Sequence, residues 1–383
     1  MCGICGWIGK QPSEVARHIG PMVKALKKRG PDDDGIWTDG QPCILGHARL
    51  SIIDVEGSPQ PMTNEDGTVI LIYNGEMYNF QELREKLIER GHTLKTQGDS
   101  EVLVHLYEDY GPAMVEHLDG MFAFAIYDTQ KHTLMLARDR IGIKPLYYWH
   151  NRDTGELLFA SDMSAMLANP ALPRKLNRRA LAQYLHFGYI VHPISWLDEV
   201  QQLEPGQYAM WNNGRLKTTR YYNWQYRPDR KLGTMPAAVE ELRNTLSEAV
   251  TKHLISDVPL GSFLSGGLDS STVTGFAQET RRKEGSAIRS FTVRTWVPEI
   301  DESARARSIA GDLHTNHTEI DAEELRFDRC FFDRLIDGLG EPFGDTSALA
   351  VYMLCQQARP HVKVALSGDG GDEIFLGYKG LAK

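Results

Sequence analysis

The sequence predicts two successive domains: an α+β domain built as an antiparallel sheet sandwich with packed helices, followed by an α/β domain with a parallel sheet. Its 383 residues exceed one ordinary core, and at roughly 100–200 residues per domain two domains are expected. Short apolar or alternating runs separated by turn residues fill the first half. In the second half strands alternate with helices, which indicates a parallel sheet covered by helices.

In the first half we predict five strands and three helices. The strands are 44–53, 69–73, 121–127, 133–137 and 157–160, and the helices are 12–29, 80–91 and 100–110. Apolar residues in the first helix recur at a spacing that places them on one buried face, namely Val15, Ile19, Val23 and Leu26. This mixture of short strands and amphipathic helices favours the α+β class.

The character of the sequence changes between residues 206 and 236, where turn residues, aromatic rings and charges crowd together. Such composition is typical of an interdomain linker. We therefore predict a first domain at 1–210, a linker at 211–235 and a second domain at 236–383.

The second half is predicted to alternate regularly. Its helices are 237–254, 271–282, 301–313, 322–339 and 347–359, and its strands are 258–264, 288–295, 315–320 and 362–366. Ligands of such parallel sheets bind beyond the carboxyl ends of the strands, so the loops there are the places to look for a site.

Composition excludes several classes of protein. The formal net charge is −9 and the sequence pI is about 5.8, which argues against a nucleic-acid-coating surface. No apolar run approaches the roughly 20 residues of a membrane helix, and the first residues lack the basic leader of a signal peptide. Five scattered cysteines fit a reducing compartment, so we expect a cytoplasmic protein.

The most suggestive single residue is Cys2. It follows the initiator methionine, and a small second residue generally permits methionine removal. The mature chain would then carry a thiol and an α-amine on one residue, and an amine that titrates near pH 8 can act as the base for its own thiol. The alternative is that Cys2 and Cys5 form an ordinary C-x-x-C pair. A zinc site would need two more ligands, and no second such pair is present.

Seven ordered motifs place Cys2 in context. They are C-G-I-C-G (2–6), R-G-P-D-D-D-G (29–35), H-A-R-L-S-I-I-D (47–54), Y-N-G-E-M-Y-N (73–79), G-D-S-E (98–101), L-D-G-M-F-A-F-A-I-Y-D (118–128) and A-R-D-R-I-G-I-K-P-L-Y-Y (137–148). In this order they resemble the glutaminase domain of class II glutamine amidotransferases. The resemblance spans residues 2 to 162 and implies an Ntn-hydrolase-like fold.

The resemblance also implies roles for individual residues. Cys2 would be the nucleophile, and the side-chain amide of Asn74 and the backbone N–H of Gly75 would hold the tetrahedral oxyanion. Arg49 would bind the carboxylate of free glutamine and Asp99 its ammonium, as paired charges can. Without the motifs, these two residues would be interpreted as a surface charge and a turn residue. The glutamine-binding positions are Arg49, Glu76 and Asp99.

A phosphate-binding loop is predicted at 265–271, S-G-G-L-D-S-S, which follows a predicted strand and opens a helix. Glycines let successive N–H groups point at an anion, and the helix N-terminus and serine hydroxyls add to the attraction. It is not a Walker A motif. It resembles the pyrophosphate loop of ATP pyrophosphatases, although an isolated S-G-G can also be a simple turn.

A second, acidic loop, S-G-D-G-G-D-E, occupies residues 367–373 after the last predicted strand. Parallel-sheet geometry can bring it beside the first loop. Acidic side chains beside phosphates usually bind Mg²⁺, so Asp269 and Asp372 are candidate metal ligands. The alternative is a solvated glycine-rich turn.

Together with F-T-V (291–293), D-E-S-A (301–304) and E-P-F-G-D-T-S-A (341–348), the two loops resemble the synthetase domain of glutamine-hydrolysing asparagine synthetases. The implied ATP-binding residues are Leu264, Ser265, Gly266, Gly267, Asp269, Ser270, Ser271, Val293, Ser367 and Gly368. The family's reaction adenylates the β-carboxylate of aspartate with ATP and Mg²⁺. Ammonia made at Cys2 then travels through an internal tunnel and gives asparagine, AMP and pyrophosphate.

Two departures from the family pattern keep alternatives open. Asp369 stands where asparagine synthetases usually carry glutamate, and the family's synthetase domains continue well beyond the position of Lys383, so we expect an incomplete synthetase domain. The candidate acceptor-site residues are Asp301 and Asp369. The alternatives are an amidotransferase with another carboxylate acceptor, such as a glycan or peptide, and a glutaminase or nucleotide-binding protein. The oligomeric state is open, with a homodimer as one alternative, and neither nucleic acid nor a membrane is an expected partner.

Overall fold

The computed structural model describes residues 1–10, 13–38, 40, 42–226, 233–295, 298, 301–321 and 328–378. The chain divides into two compact units. The first contains Met1–Gln225 together with Ile336–Asp345, and the second contains Tyr226–Leu335 and Thr346–Lys383. A short stretch from late in the sequence thus belongs to the first unit.

Twelve strands of the first unit form two six-stranded sheets. They are β1 (Gly3–Ile8), β2 (Asp33–Trp37), β3 (Cys43–Arg49), β4 (Met62–Thr63), β5 (Val69–Met77), β6 (Gly120–Asp128), β7 (Thr133–Arg138), β8 (Tyr147–His150), β9 (Leu157–Ala160), β10 (Val200–Gln202), β11 (Gln207–Asn212) and β12 (Arg215–Arg220). One sheet has the order β10-β8-β9-β1-β3-β2 and the other β12-β11-β7-β6-β5-β4. Every pairing is antiparallel, which confirms the predicted sandwich.

Helices pack on this sandwich. They are α1 (Ile19–Leu26), α2 (Phe80–Glu89), α3 (Glu101–Tyr110), α4 (Met163–Leu167) and α5 (Arg178–Phe187), with 3-10 turns at Val15–His18 and Gly111–His117. α1 lies on the sheet that contains β1 and β3, whereas α3 lies against β5 of the other sheet. The order of layers is therefore helix, sheet, sheet, helix.

Strand β1 shows how the sandwich is held together. Ile4 and Ile8 pack between the two sheets, whereas Cys5 and Trp7 pack towards α1 and α4 on the opposite face. All four side chains are at most 1% exposed. Because successive residues of a strand point to opposite faces, a strand covered on both sides is apolar throughout rather than alternating.

Two predicted elements in this unit are shorter than expected. The predicted helix 12–29 is a 3-10 turn followed by α1, and Pro12 lies outside the described residues. The predicted strand 44–53 ends with β3 at Arg49. It ends there because the N–H of Leu50 donates to Cys2 Sγ and that of Ser51 to the Asp32 carboxylate, so neither amide is free to continue the sheet.

The predicted linker at 211–235 also differs from the structure. β11 and β12 form a hairpin, and β11 pairs with β7, so residues 211–220 belong to the sheet. Its two-residue turn, Asn213 and Gly214, has φ angles of 47° and 82°. Positive φ at both turn residues suits the right-handed twist of a hairpin, and Asn-Gly is the favoured sequence for it. Residues 227–232 of the predicted linker lie outside the described residues.

The second unit contains a parallel sheet. Its strands are β13 (Leu260–Phe263), β14 (Arg289–Arg294), β15 (Asn316–Asp321) and β16 (Val364–Leu366), in the order β15-β14-β13-β16. All three pairings are parallel, which confirms the predicted α/β class. The chain runs outward from β13 to β15 and then returns to the other side of β13. The order in which the chain adds strands therefore reverses between β13 and β16, and ligands of such folds bind at this point.

The helices of the second half are α6 (Met235–His253), α7 (Leu268–Lys283), α8 (Ser303–Leu313), α9 (Arg329–Leu339), α10 (Ser347–Ala358) and α11 (Gly371–Phe375). Leu260 packs with Ala277 of α7, whereas Phe291 packs with Ala358 of α10. Residues 322–327 of the predicted helix 322–339 lie outside the described residues. In the described part of the chain no helix has the combination of length and apolarity that spanning a bilayer requires.

Candidate active sites

The thiol of Cys2 lies where β1 begins, beside the end of β3. The backbone N–H of Leu50 donates to Cys2 Sγ at 3.3 Å, and Arg29 Nε donates to the Cys2 carbonyl at 3.2 Å. Burial raises the pKa of the Cys2 thiol, while the Leu50 hydrogen bond acts in the opposite direction. The thiol is therefore positioned by the backbone but needs a base to become a thiolate.

Asn74 is the most unusual buried residue of the first unit. Its side chain is 0% exposed on β5, and neither Oδ1 nor Nδ2 has a hydrogen-bond partner within the described residues. Leaving a buried polar group unsatisfied costs about 1–3 kcal/mol, so such groups call for a functional explanation. β5 contacts β1, the strand that starts beside Cys2. The next residue, Gly75, lies so close to β6 that a Cβ atom would be 2.4 Å from the carbonyl oxygen of Met121.

Two carboxyl groups lie near these residues. Asp99 Oδ2 accepts hydrogen bonds from the Tyr73 hydroxyl and the Met77 N–H, both at 2.9 Å. Burial raises the pKa of Asp99, and burial together with the Asp99 charge raises the pKa of Glu76. Both carboxyl groups also act electrostatically on the Cys2 thiol, so the structure brings the predicted nucleophile and these two residues into one electrostatic site.

Arg49 is present at the end of β3 but is already engaged. Its guanidinium donates to the carbonyl oxygens of Val55 at 2.8 Å and Asp54 at 2.9 Å. The Asp54 carboxylate in turn accepts from Gln97 N–H at 2.8 Å. Arg49 therefore lies in a hydrogen-bonded chain that reaches the loop before Asp99, and binding of a substrate carboxylate by Arg49 stays a prediction.

Sequence reasoning missed Lys144 as a site residue. This lysine is only 4% exposed, and burial lowers its pKa, with Glu76 acting in the opposite direction. Its Nζ lies 3.2 Å from Met1 Sδ. Burial also lowers the pKa of the Met1 α-amine to about 5. Lysine is rarely buried unless it is paired, and it is the burial of Lys144, which the sequence does not show, that marks it as a site residue.

In the second unit, the predicted phosphate loop connects β13 to α7. Gly266 has a φ of 81°, and the Oγ atoms of Ser265 and Ser270 lie 2.9 Å apart. Ser265 Oγ also accepts from the Gly267 N–H at 3.2 Å. The loop ends at the N-terminus of α7, whose 16 residues give a helix dipole with its positive end at the loop.

The acidic loop 367–373 lies against this phosphate loop. β16 and β13 are parallel neighbours, with Ser262 opposite Leu366, so both loops leave the same edge of the sheet. A Cβ atom at Gly368 would lie 2.6 Å from Ser270 N, and one at Gly371 would lie 2.5 Å from Asp269 Cγ. Glycine at these two positions is what allows the loops to touch.

The remaining predicted residues of this unit are placed as follows. The Leu264 side chain is 1% exposed and packs with Ala306 and Ala310, so it belongs to the core. Val293 is partly buried beside Phe331. The carboxylate of Asp301 accepts from Ser303 Oγ at 3.0 Å at the start of α8.

Asp269 and Asp372 do not form a ready-made cage for a metal. Among the described residues, the histidine, cysteine and acidic side chains that come close enough to share an ion do not include either aspartate. Yet the Asp269 carboxylate lies against Gly371, the residue next to Asp372. Mg²⁺ usually takes one or two carboxylates and completes its shell with phosphate oxygens and water. The two aspartates fit that kind of binding.

Comparison with known proteins agrees with these two units. A family model described as a glutamine amidotransferase domain matches residues 1–222, and one described as asparagine synthase matches residues 241–383. Glutamine-hydrolysing asparagine synthetase 1 of Bacillus subtilis is 35% identical, over 99% of this chain and 59% of that protein. A protein named for the same activity in Methanocaldococcus jannaschii is 35% identical, over 99% of this chain and 76% of that protein. The chain belongs to the glutamine-hydrolysing asparagine synthetase family.

The chain spans 59% of the length of its Bacillus subtilis relative. Among solved structures, the glutamine phosphoribosylpyrophosphate amidotransferase of Bacillus subtilis aligns at 16% identity and a TM-score of 0.43. That alignment covers 84% of this chain and 81% of the other.

Proposed function

We propose that the chain is a glutamine-dependent amide synthetase that forms asparagine, AMP and pyrophosphate from aspartate, ATP and glutamine. Membership of the family supports the reaction class. The observation that carries the proposal is the buried side-chain amide of Asn74, whose two polar atoms have no hydrogen-bond partner among the described residues. Such an amide is available for a substrate oxyanion.

Before the protein can hydrolyse glutamine, Met1 would be removed, so that the amide nitrogen of Cys2 becomes a free α-amine. An α-amine ordinarily titrates near pH 8, so a fraction of it is neutral at pH 7 and can accept the thiol proton. The thiolate then attacks the carboxamide carbon of glutamine. Ammonia leaves with a proton from the amine, and water hydrolyses the thioester to glutamate.

Substrate recognition and oxyanion stabilisation follow from the neighbouring residues. The Asn74 Nδ2 and Gly75 N–H groups would donate to the tetrahedral oxyanion, and one such donor is worth about 3–4 kcal/mol. The Asp99 carboxylate would pair with the substrate ammonium, and Glu76 would add negative charge nearby. Arg49 would bind the substrate carboxylate while keeping its hold on the loop at Asp54 and Val55.

Carboxylate activation is assigned to the second unit. The loop 265–271 and the N-terminus of α7 would hold the phosphates of ATP. Mg²⁺ bound through Asp269 and Asp372 would neutralise phosphate charge there. A carboxylate oxygen of the acceptor attacks the α-phosphorus and releases pyrophosphate. Ammonia then attacks the acyl carbon, and AMP leaves.

A different carboxylate acceptor is the second candidate function, and Asp369 is the reason. Its carboxylate accepts from Ser367 Oγ at 2.8 Å, so the side chain folds back on its own loop. A glutamate at this position would be one methylene longer, which would change the space and charge that an acceptor meets. An acceptor larger than aspartate, such as a glycan or peptide carboxylate, would therefore suit this loop.

The proposal includes a cytoplasmic location. Five cysteines scattered along the sequence fit a reducing compartment.

The experiment that tests the glutaminase step compares glutamate release by the purified protein, a Cys2→Ala variant and a matched Cys330→Ala control, because Cys330 is an exposed thiol of the second unit. We expect release only with the unchanged protein and with Cys330→Ala. Retained release by Cys2→Ala would refute the nucleophile. A panel of carboxylates with ATP and Mg²⁺, read as AMP formation, then distinguishes aspartate from larger acceptors.

A further inference from the structure

A second cluster of ionisable side chains lies on the first unit and has no part in the proposed chemistry. Among the described residues, His92, His105 and Glu108 offer ligand atoms that all lie within 4.8 Å of one another. We propose that these three residues form a binding site for a zinc-like divalent cation. Two imidazoles and one carboxylate are a typical protein ligand set for Zn²⁺, whereas Mg²⁺ and Ca²⁺ prefer oxygen ligands throughout.

The ligand atoms converge on one point. Glu108 Oε2 lies 2.8 Å from His105 Nδ1 and 3.5 Å from His92 Nδ1, and the centroids of the two rings are 4.9 Å apart. Tetrahedral ligands bound at about 2.0–2.1 Å lie roughly 3.3 Å from one another. Both separations from Glu108 Oε2 are within about 0.5 Å of this value, and all three ligand atoms lie within 4.8 Å of one another. A modest closing of the two rings would hold an ion, and water would fill its remaining positions.

The other ring nitrogen of each histidine faces a carboxylate. His92 Nε2 lies 3.0 Å from Asp109 Oδ1, and His105 Nε2 lies 3.9 Å from Glu65 Oε1. Histidines that bind metals almost always give their second ring N–H to such a partner, which fixes the tautomer and directs the free nitrogen at the ion. Asp109 is within hydrogen-bond distance and so directs Nδ1 of His92 towards Glu108, whereas Glu65 adds only a nearby negative charge to His105.

The supporting contacts hold the ligands in place. Asn64 Nδ2 donates to Glu108 Oε1 at 2.7 Å, which leaves Oε2 directed at the histidines. Arg90 Nη1 donates to Asp109 Oδ2 at 3.0 Å, which holds this carboxyl group beside His92. Three carboxyl groups and one arginine surround the imidazoles, and the resulting negative charge favours a cation.

Local structure explains why these residues meet. Gly91, with a φ of 97°, ends α2, and the His92 N–H bonds back to the Leu87 carbonyl at 3.0 Å. This turn places His92 against α3. There His105 and Glu108, three residues apart, share one face of the helix. His105 is 1% exposed, so this face is fixed by packing.

A bound ion would join His92 to His105 and so close the segment between them, which contains Asp99. A ligand that binds the folded state alone stabilises it by mass action. We therefore expect added metal to raise the melting temperature of the chelator-treated protein. This expectation does not depend on the proposed enzymatic function.

The test titrates the chelator-treated full chain with Co²⁺, whose visible absorption reports ligand type, followed by displacement with Zn²⁺. We expect one equivalent to bind through nitrogen and oxygen ligands. Asp109→Asn should weaken binding roughly 10–100-fold, as loss of an orienting carboxylate does, and His92→Gln should weaken it further. His186→Gln, which removes an exposed histidine elsewhere in the unit, is the matched control and should bind like the unchanged protein.

Three results would overturn the proposal. One is the absence of a stoichiometric site. Another is equal affinity in His92→Gln and His186→Gln, measured on variants whose metal-free melting temperatures match. The third is a thiolate charge-transfer band, which would place the ion on a cysteine instead. His92 is partly exposed, so its substitution should leave the fold intact.

Discussion

The buried side chain of Asn74 is proposed to serve catalysis, although its burial lowers the stability of the fold. A buried amide without partners contributes nothing to folding through hydrogen bonds, and it raises the free energy of the folded state. Asn169 offers the opposite case, because its equally buried amide donates to the Val15 carbonyl at 2.9 Å. We therefore expect that removing the Asn74 side chain impairs activity more than stability, and that removing the Asn169 side chain does the reverse.

For Asn74→Ala we expect kcat for glutamine hydrolysis to fall about 10²–10³-fold, the loss typical of one oxyanion donor. Its melting temperature should fall less than that of Asn169→Ala, which loses hydrogen bonds to the backbone. Glutaminase kinetics and thermal unfolding of the two variants provide the check. A near-normal kcat for Asn74→Ala would remove it from the mechanism.

The buried carboxyl group of Asp99 should make glutamine binding depend on pH. Burial raises its pKa above the ordinary aspartate value of about 3.9, so the carboxylate is protonated at a higher pH than usual. As the pH falls through this raised pKa, the charge that pairs with the substrate ammonium is lost, and KM for glutamine should rise.

The measurement is KM for glutamine as a function of pH, with KM for ATP as the internal control. We expect the rise for glutamine to begin above the ordinary aspartate range, while KM for ATP does not follow it. A glutamine KM that stays flat down to pH 4 would contradict the proposed pairing.

Single site residues could be predicted from the sequence where they lie within recognisable motifs. Cys2, Glu76 and Asp99 were all selected from the sequence, and the structure places them within electrostatic reach of one another. Lys144 and the bridging carboxylate of Asp54 were missed. Their importance comes from burial and from contacts across loops, which no local pattern of residue types reports.

The two loops of the second unit are the elements that we propose to bind ATP, and they are in contact with each other. They meet through glycines, so a single methyl group tests the contact. Gly371→Ala would place a Cβ atom 2.5 Å from Asp269 Cγ, so the Asp269 carboxylate would have to move away from its present position between the loops. Gly275→Ala, inside α7, meets nothing closer than 3.7 Å and is the matched control.

We expect Gly371→Ala to weaken ATP binding at least tenfold, equivalent to about 1.4 kcal/mol, without a large change in the melting temperature. Gly275→Ala should bind ATP normally and be slightly more stable, because alanine is favoured over glycine within a helix by roughly 0.5–1 kcal/mol. Calorimetric titration with ATP measures both. Equal affinity in the two variants would mean that the loop contact does not form the site.

The elements themselves were predicted best where one face is strongly apolar. β13, β14 and α8 follow the predicted segments closely. The strand β12, Arg215–Arg220, was missed because it lies at the edge of its sheet and is largely exposed, so it carries no apolar period. Its turn, Asn213-Gly214, was the available signal, and tertiary pairing with the rest of the sheet rather than composition decides that these residues are strands.

For the molecule as a whole, the sequence predicted two domains in series, whereas in the structure one segment from late in the chain belongs to the first unit. Residues Ile336–Asp345 belong to the first unit, where Glu341 accepts from Gln202 Nε2 at 2.9 Å and the Gly344 N–H donates to the Gly188 carbonyl at 2.7 Å. These contacts join residues more than a hundred positions apart. Periodicity reports local structure only, so no sequence pattern could have revealed them.

We propose that one chain takes nitrogen from glutamine and places it on a carboxylate activated by ATP. The direct test supplies glutamine labelled at its amide nitrogen, together with ATP, Mg²⁺ and aspartate, and follows the label by mass spectrometry. We predict labelled asparagine in equal amounts to AMP and pyrophosphate. Cys2→Ala should form no labelled asparagine, but should form unlabelled asparagine when unlabelled ammonia is added. Labelled ammonia and glutamate without AMP, or AMP formed with every acceptor except aspartate, would contradict the account.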